Sequence, residues 1–133
     1  MSTDTQPNWA SELGHFTGSQ EFFTTLLGRN SFLYTEGVKF VAEKAGAFWL
    51  IDLIASHRIG RQRHGDFLTV RVQKWGGGAR IKLGDGNGKE RTLQQISYTD
   101  WPFDDLPEDF KFFLCWNGRS SRNAWTMMLP SEY

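Results

Sequence analysis

Apolar and polar residues alternate with two different periods along the chain, and the change of period falls near Gly65. Upstream, Ser19-Gln20-Glu21 can cap and charge-complement a short helix through Phe22-Phe23-Thr24-Thr25-Leu26-Leu27, with Gly28 at its C-cap. A second helix is predicted from Thr35 or Glu36, placing Val38, Phe40, Val41 and Ala45 on overlapping faces until Gly46 ends or kinks it. The run Ala47-Phe48-Trp49-Leu50-Ile51-Asp52-Leu53-Ile54-Ala55 is apolar nearly all round, which predicts a helix buried from more than one side.

Downstream the period becomes two. Phe67 to Trp75 sets Leu68, Val70 and Val72 on one face and Thr69, Arg71 and Gln73 on the other, as in a half-buried strand. Gly76-Gly77-Gly78 supplies a turn, Arg80-Ile81-Lys82-Leu83 repeats the alternation, and Asp85-Gly86-Asn87-Gly88 leads through a tight hairpin to Arg91–Tyr98. Beyond the acidic, proline-bounded stretch 99–107, two more strands are expected over Phe110–Trp116 and Asn123–Leu129. Helices first and strands afterwards predict an α+β domain, its helical N-terminal half packed on one face of an antiparallel sheet of about five strands.

Residues 1–8 are small and polar with one proline, a composition expected of a disordered tail, leaving 9–133 as a single domain. That length suffices for one core. The 15 basic and 15 acidic residues cancel, so no global field holds the protein on a nucleic acid or an anionic membrane. A single cysteine precludes an intramolecular disulfide and fits a reducing compartment, no apolar run approaches the roughly 20 residues that span a bilayer, and a cytoplasmic location is expected.

Most constellations that carry chemistry are missing. His15, His57 and His64 share no metal-ligand spacing with one another or with paired carboxylates, so no metal or other cofactor is expected. Asp85-Gly86-Asn87-Gly88-Lys89-Glu90 has Lys89 where a calcium loop needs an oxygen ligand and Glu90 where it needs glycine. Gly76-Gly77-Gly78 lacks the Lys and Ser/Thr of a phosphate loop. Cys115 lies between Leu114 and Trp116 in a strand, where a small apolar residue is ordinary. Asp52, inside the apolar helix, is an acid in a dry cleft, or a side chain on the helix's exposed edge, or one bonded to Ser56 or to a loop arginine. The acidic stretch Asp100, Asp104, Asp105, Glu108 and Asp109 is a solvated loop or a mimic of nucleic-acid charge.

The most suggestive cluster is basic. His57, Arg58, Arg61, Arg63 and His64 share one loop, and Arg71, Arg80 and Lys82 point outward from the adjacent strands, with Trp75 able to stack on a base. A solvated sheet face carries such residues as well.

Five segments carry a resemblance: Leu33-Tyr34-Thr35-Glu36-Gly37-Val38-Lys39-Phe40, Ala45–Asp52 with Ile54-Ala55-Ser56, Asp85-Gly86-Asn87-Gly88, Tyr98-Thr99-Asp100-Trp101-Pro102 and Leu129-Pro130-Ser131-Glu132-Tyr133. In these the chain resembles a family of small bacterial, plasmid and phage proteins known only as a domain of unknown function. The resemblance implies genes carried on mobile elements and transfers no catalytic residue. The expectation is a non-enzymatic module that binds a macromolecular partner, a protein first, in a counter-defence or accessory role. The alternatives are a nucleic-acid-binding protein using Arg58, Arg61, Arg63, His64, Arg71, Trp75, Arg80 and Lys82, and an enzyme with a site near Asp52.

Overall fold

The computed structural model describes residues 13–14, 22–24, 32–57, 67–85, 88–116 and 124–133. Among these residues seven strands form one mixed sheet: β1 (Phe22–Thr24), β2 (Phe32–Thr35), β3 (Phe67–Trp75), β4 (Gly78–Gly84), β5 (Glu90–Ile96), β6 (Asp109–Trp116) and β7 (Trp125–Met128). Two short helices, α1 (Glu36–Ala45) and α2 (Phe48–Ser56), connect β2 toward β3, and a 3-10 turn, Pro130–Glu132, follows β7. The strand order is β1-β2-β7-β6-β3-β4-β5. Every neighbouring pair is antiparallel except β2 and β7, where Leu33 lies beside Thr126 in a parallel register.

This overturns the expected helical half on a five-stranded antiparallel sheet. Phe22-Phe23-Thr24 is extended, not helical, because it pairs with β2, Phe23 facing Tyr34. Aromatic and β-branched residues suit a pleated ladder, and tertiary pairing overrides the local helical pattern. The rest of that expected helix, Thr25–Leu27, lies outside the described residues, as do the expected N-terminal tail and the arginine-rich loop 58–66. Strand β2 gave no alternation to read, since Phe32, Leu33, Tyr34 and Thr35 are all buried and the strand runs directly into a helix.

The helices form largely where the sequence places them. Thr35 Oγ1 accepts the Val38 N–H at 3.3 Å as N-cap of α1, and Gly46 closes that helix in the left-handed region at φ 62°. Helix α2 buries Leu50, Ile51, Ile54 and Ala55 but not its whole circumference, for Phe48 is 41% exposed and Trp49 and Leu53 are half-buried. The inner residues of α1 and α2 share one core with Leu68, Val70, Val72, Ile81, Leu83, Phe112, Leu114 and Met127. Each of these large apolar side chains contributes roughly 1.5–3 kcal/mol on burial.

The opposite face of the sheet is unevenly covered. At the β2–β7 side Thr126 and Met128 are buried, and Tyr133 stacks against Phe67 and Phe113 with ring centroids 5.2 and 5.5 Å apart. Toward β3, β4 and β5 the outward residues Arg71, Gln73, Lys82 and Glu90 are half-buried or exposed. The functional site must be sought there.

Candidate functional site

Strand register brings the charged side chains together. Arg71 on β3 is the direct cross-strand neighbour of Lys82 on β4 and of Lys111 on β6, so three cations stand in one row across three strands. Like charges directly opposite one another destabilise a sheet. Two carboxylates relieve the row. Arg71 donates from Nε to Asp109 Oδ1 at 3.0 Å and from Nη2 to Asp109 Oδ2, while Nη1 donates to both oxygens of Glu90 at 3.0 and 2.7 Å. Lys82 Nζ stands 3.9 Å from Glu90, and Gln73 Nε2 donates weakly to Asp109 at 3.4 Å. The hydrogen bond from Arg71 holds Asp109 below its ordinary carboxylate range despite the opposing effect of burial, with Gln73 and the nearby charges of Arg71 and Lys111 adding to the lowering. Arg71 is correspondingly raised, first by Asp109 and then by Glu90.

This network edges an open hollow of about 510 Å³, lined by Thr69, Arg71, Gly84, Gly88, Lys89, Glu90, Asp109 and Lys111. Gly84 forms part of its floor, since a Cβ there would meet Thr69 Oγ1 at 2.8 Å and Glu90 Cγ at 3.2 Å. A second hollow of about 350 Å³ shares Gly84, Lys89 and Glu90 and adds Leu68, Leu83, Asp85 and Arg91. The β4–β5 connection is closed by Asp85, whose N–H donates to the Lys89 carbonyl at 3.0 Å and whose Oδ1 accepts the Lys89 N–H at 3.2 Å. Those bonds give Asp85 a turn role, with Gly88 at φ 100° supplying a positive dihedral angle that few side chains tolerate.

Of the sequence-predicted site residues, Arg71 and Lys82 meet in the network, while Arg80 and Trp75 form a separate pair. The Arg80 guanidinium lies 4.7 Å from the Trp75 ring centroid, and Trp75 remains 41% exposed. Arg58, Arg61, Arg63 and His64 lie outside the described residues. Sequence reasoning missed Asp109, Glu90, Lys89, Lys111, Thr69 and Gly84. Asp109 and Glu90 open their strands, and their meeting with Arg71 depends on a register that no single strand's pattern discloses.

The enzyme candidates lie elsewhere. Asp52 is half-buried on α2 and lines neither hollow; its charge, after burial itself, is the largest contributor to the raised pKa of Tyr34. Ser56, one of the partners considered for it, donates to the Leu53 carbonyl at 2.7 Å. Cys115 is buried, its sulfur 4.0 Å from Met128 Sδ. Among the described residues no group of three or more His, Cys, Asp or Glu side chains is arranged to hold a metal ion, and no helix is long and apolar enough to cross a membrane.

A family model matches residues 7–133, including every strand, both helices and all residues of the hollow. The chain belongs to DUF6876, a family of unknown function. No curated protein and no solved structure matches this DUF6876 chain.

Proposed function

We propose that this DUF6876 protein is a non-enzymatic module that binds a protein partner through the open face of β3, β4, β5 and β6. The observation that carries the reading is the four-strand charged network on that face, held in place by Arg71 beside an open hollow. Small-molecule sites are concave and mostly apolar. This hollow is open and lined mostly by charged residues, which suits the polar surface of another protein. The resemblance to plasmid and phage proteins supplies the setting, an accessory or counter-defence protein of a mobile element.

Nucleic-acid binding is the weaker reading. Two members of the basic cluster, Arg71 and Lys82, are paired with carboxylates, and one face of Trp75 is occupied by Arg80. A phosphate backbone would also meet Asp109 and Glu90 on the same surface.

The test is site-specific photocrosslinking in the native cells, with the photoreactive residue at Trp75 or Thr92 on the sheet side and at Phe48 on the helix side. A single protein crosslinked from the sheet positions but not from Phe48, and then bound by the purified chain, supports the reading. Crosslinks from Phe48 alone, or recovery of nucleic acid alone from the sheet positions, overturn it.

A further inference from the structure

The hollow has an excess of positive charge that the fold itself does not require. Among the described residues three cations line it, Arg71, Lys89 and Lys111, against two anions, Glu90 and Asp109, and Lys82 adjoins them in the cross-strand row. Both anions are held by Arg71. Lys89 and Lys111 are exposed and form no ion pair among the described residues. They stand on opposite walls, Lys111 on β6 and Lys89 just before β5.

Lys111 is the informative residue. It stands directly opposite Arg71, which is itself directly opposite Lys82, and its only favourable electrostatic contact on this face among the described residues is the nearby charge of Asp109, which Arg71 already holds. Residues that oppose stability are expected at functional sites. Beside it, Gly84 keeps the floor low, and Thr69 contributes a hydroxyl group.

We infer that the hollow binds an acidic segment of a protein partner, with one carboxylate held by Lys111 and another by Lys89, while Arg71 stays paired with Asp109 and Glu90. This rests on the protein-binding reading above and specifies its partner. An extended polyanion is disfavoured, because Asp109, Glu90 and Asp85 confine the unpaired positive charge to a short span. A partner loop with two or three Asp or Glu residues fits that span.

The experiment measures fluorescence anisotropy of a fluorescein-labelled hexaglutamate peptide against the purified chain at low and high salt. Expected are binding that weakens with salt, and a loss of about three- to fivefold in affinity for Lys111→Gln and for Lys89→Gln, the size of one exposed charge contact. Lys44→Gln, on α1, leaves affinity unchanged. Lys111→Gln is also expected to leave the urea unfolding midpoint close to that of the parent chain, whereas a lysine with a structural role would lower it. Absence of peptide binding at low salt, or an equal loss with Lys44→Gln, overturns the inference and leaves the crosslinking result to stand by itself. Tighter binding of a labelled oligothymidylate that Lys111→Gln abolishes also overturns it, and assigns the hollow to nucleic acid.

Discussion

Glu90 reaches Arg71 across an intervening strand, and Gly84 on that strand lies beneath its path. The two side chains belong to β5 and β3, and both Glu90 oxygens accept from Arg71 Nη1 at 3.0 and 2.7 Å. A Cβ at position 84 would stand 3.2 Å from Glu90 Cγ and 2.8 Å from Thr69 Oγ1. Gly84→Ala is therefore expected to displace Glu90 and uncouple it from Arg71. In urea unfolding, a double-mutant cycle of Arg71→Met and Glu90→Gln should give a coupling of about 1 kcal/mol, because Nη1 reaches both carboxylate oxygens and the pair is only about a quarter exposed on each side. In the Gly84→Ala background that coupling should fall toward zero. A coupling that survives there shows that Glu90 has another route to Arg71.

Acid titration tests the other arm of the network. Arg71 holds Asp109 below its ordinary value of 3.8, so the folded chain binds that proton less tightly than the unfolded chain. The resulting stability is present above about pH 4 and is lost as pH falls through the depressed folded value. Asp109→Asn should flatten the acid limb of the urea midpoint between about pH 2 and 4. An unchanged acid slope means that Arg71 does not hold the Asp109 carboxylate in solution.

Much of the β3–β6 half was legible because its strands have one dry and one wet face. Leu68, Val70 and Val72 alternate with Thr69, Arg71 and Gln73, and the paired strands repeat this at Ile81 and Leu83. Where a strand is buried on both faces the alternation disappears, which hid β2, and its parallel pairing with β7 joins residues far apart in sequence. The apolar α2 was legible as a helix, but Phe48 shows that its uniform apolarity overstated its burial. At the site, the outward direction of Arg71 and Lys82 followed from the strand period. The pairing partners did not, since Asp109 reads as the end of an acidic loop and Glu90 as part of a turn until the register places both beside Arg71.

Tyr34 predicts an alkaline limit to stability. Burial first, then the negative charges of Asp52 and Glu43, raise its phenol above the ordinary 10.0. The folded chain holds this proton more tightly than the unfolded chain, so the contribution is complete below pH 10 and is lost as pH rises through the higher folded value. Above about pH 10 the urea midpoint should fall, and Tyr34→Phe should make that fall shallower. Asp52→Asn should move the phenol's absorbance titration toward lower pH. A titration that does not respond leaves burial and Glu43 as the causes.

The last prediction concerns the buried Glu132, which ties the C-terminal turn to the start of α1. Its Oε1 accepts from Thr35 Oγ1 at 2.6 Å and from the Leu129 N–H at 2.9 Å, and its Oε2 accepts from the Gly37 N–H at 3.1 Å. Thr35 Oγ1 in turn accepts the Val38 N–H, so one carboxylate satisfies the helix entrance and orients its cap. Glu132→Gln exchanges an acceptor for a donor among three donors, leaving a buried group unpaired at a cost of about 1–3 kcal/mol. Gly37→Ala decides the point more sharply. In an exposed helix, glycine to alanine gains up to about 1 kcal/mol, but here the new Cβ would lie 2.6 Å from Glu132 Oε1 and 2.7 Å from Leu129 Cδ1. The substitution is expected to destabilise by about 1–3 kcal/mol, as overpacking does. Combined with Glu132→Ala, which vacates that space, it should cost less than the sum of the single changes. Strict additivity in urea unfolding shows that Glu132 does not occupy the space beside Gly37.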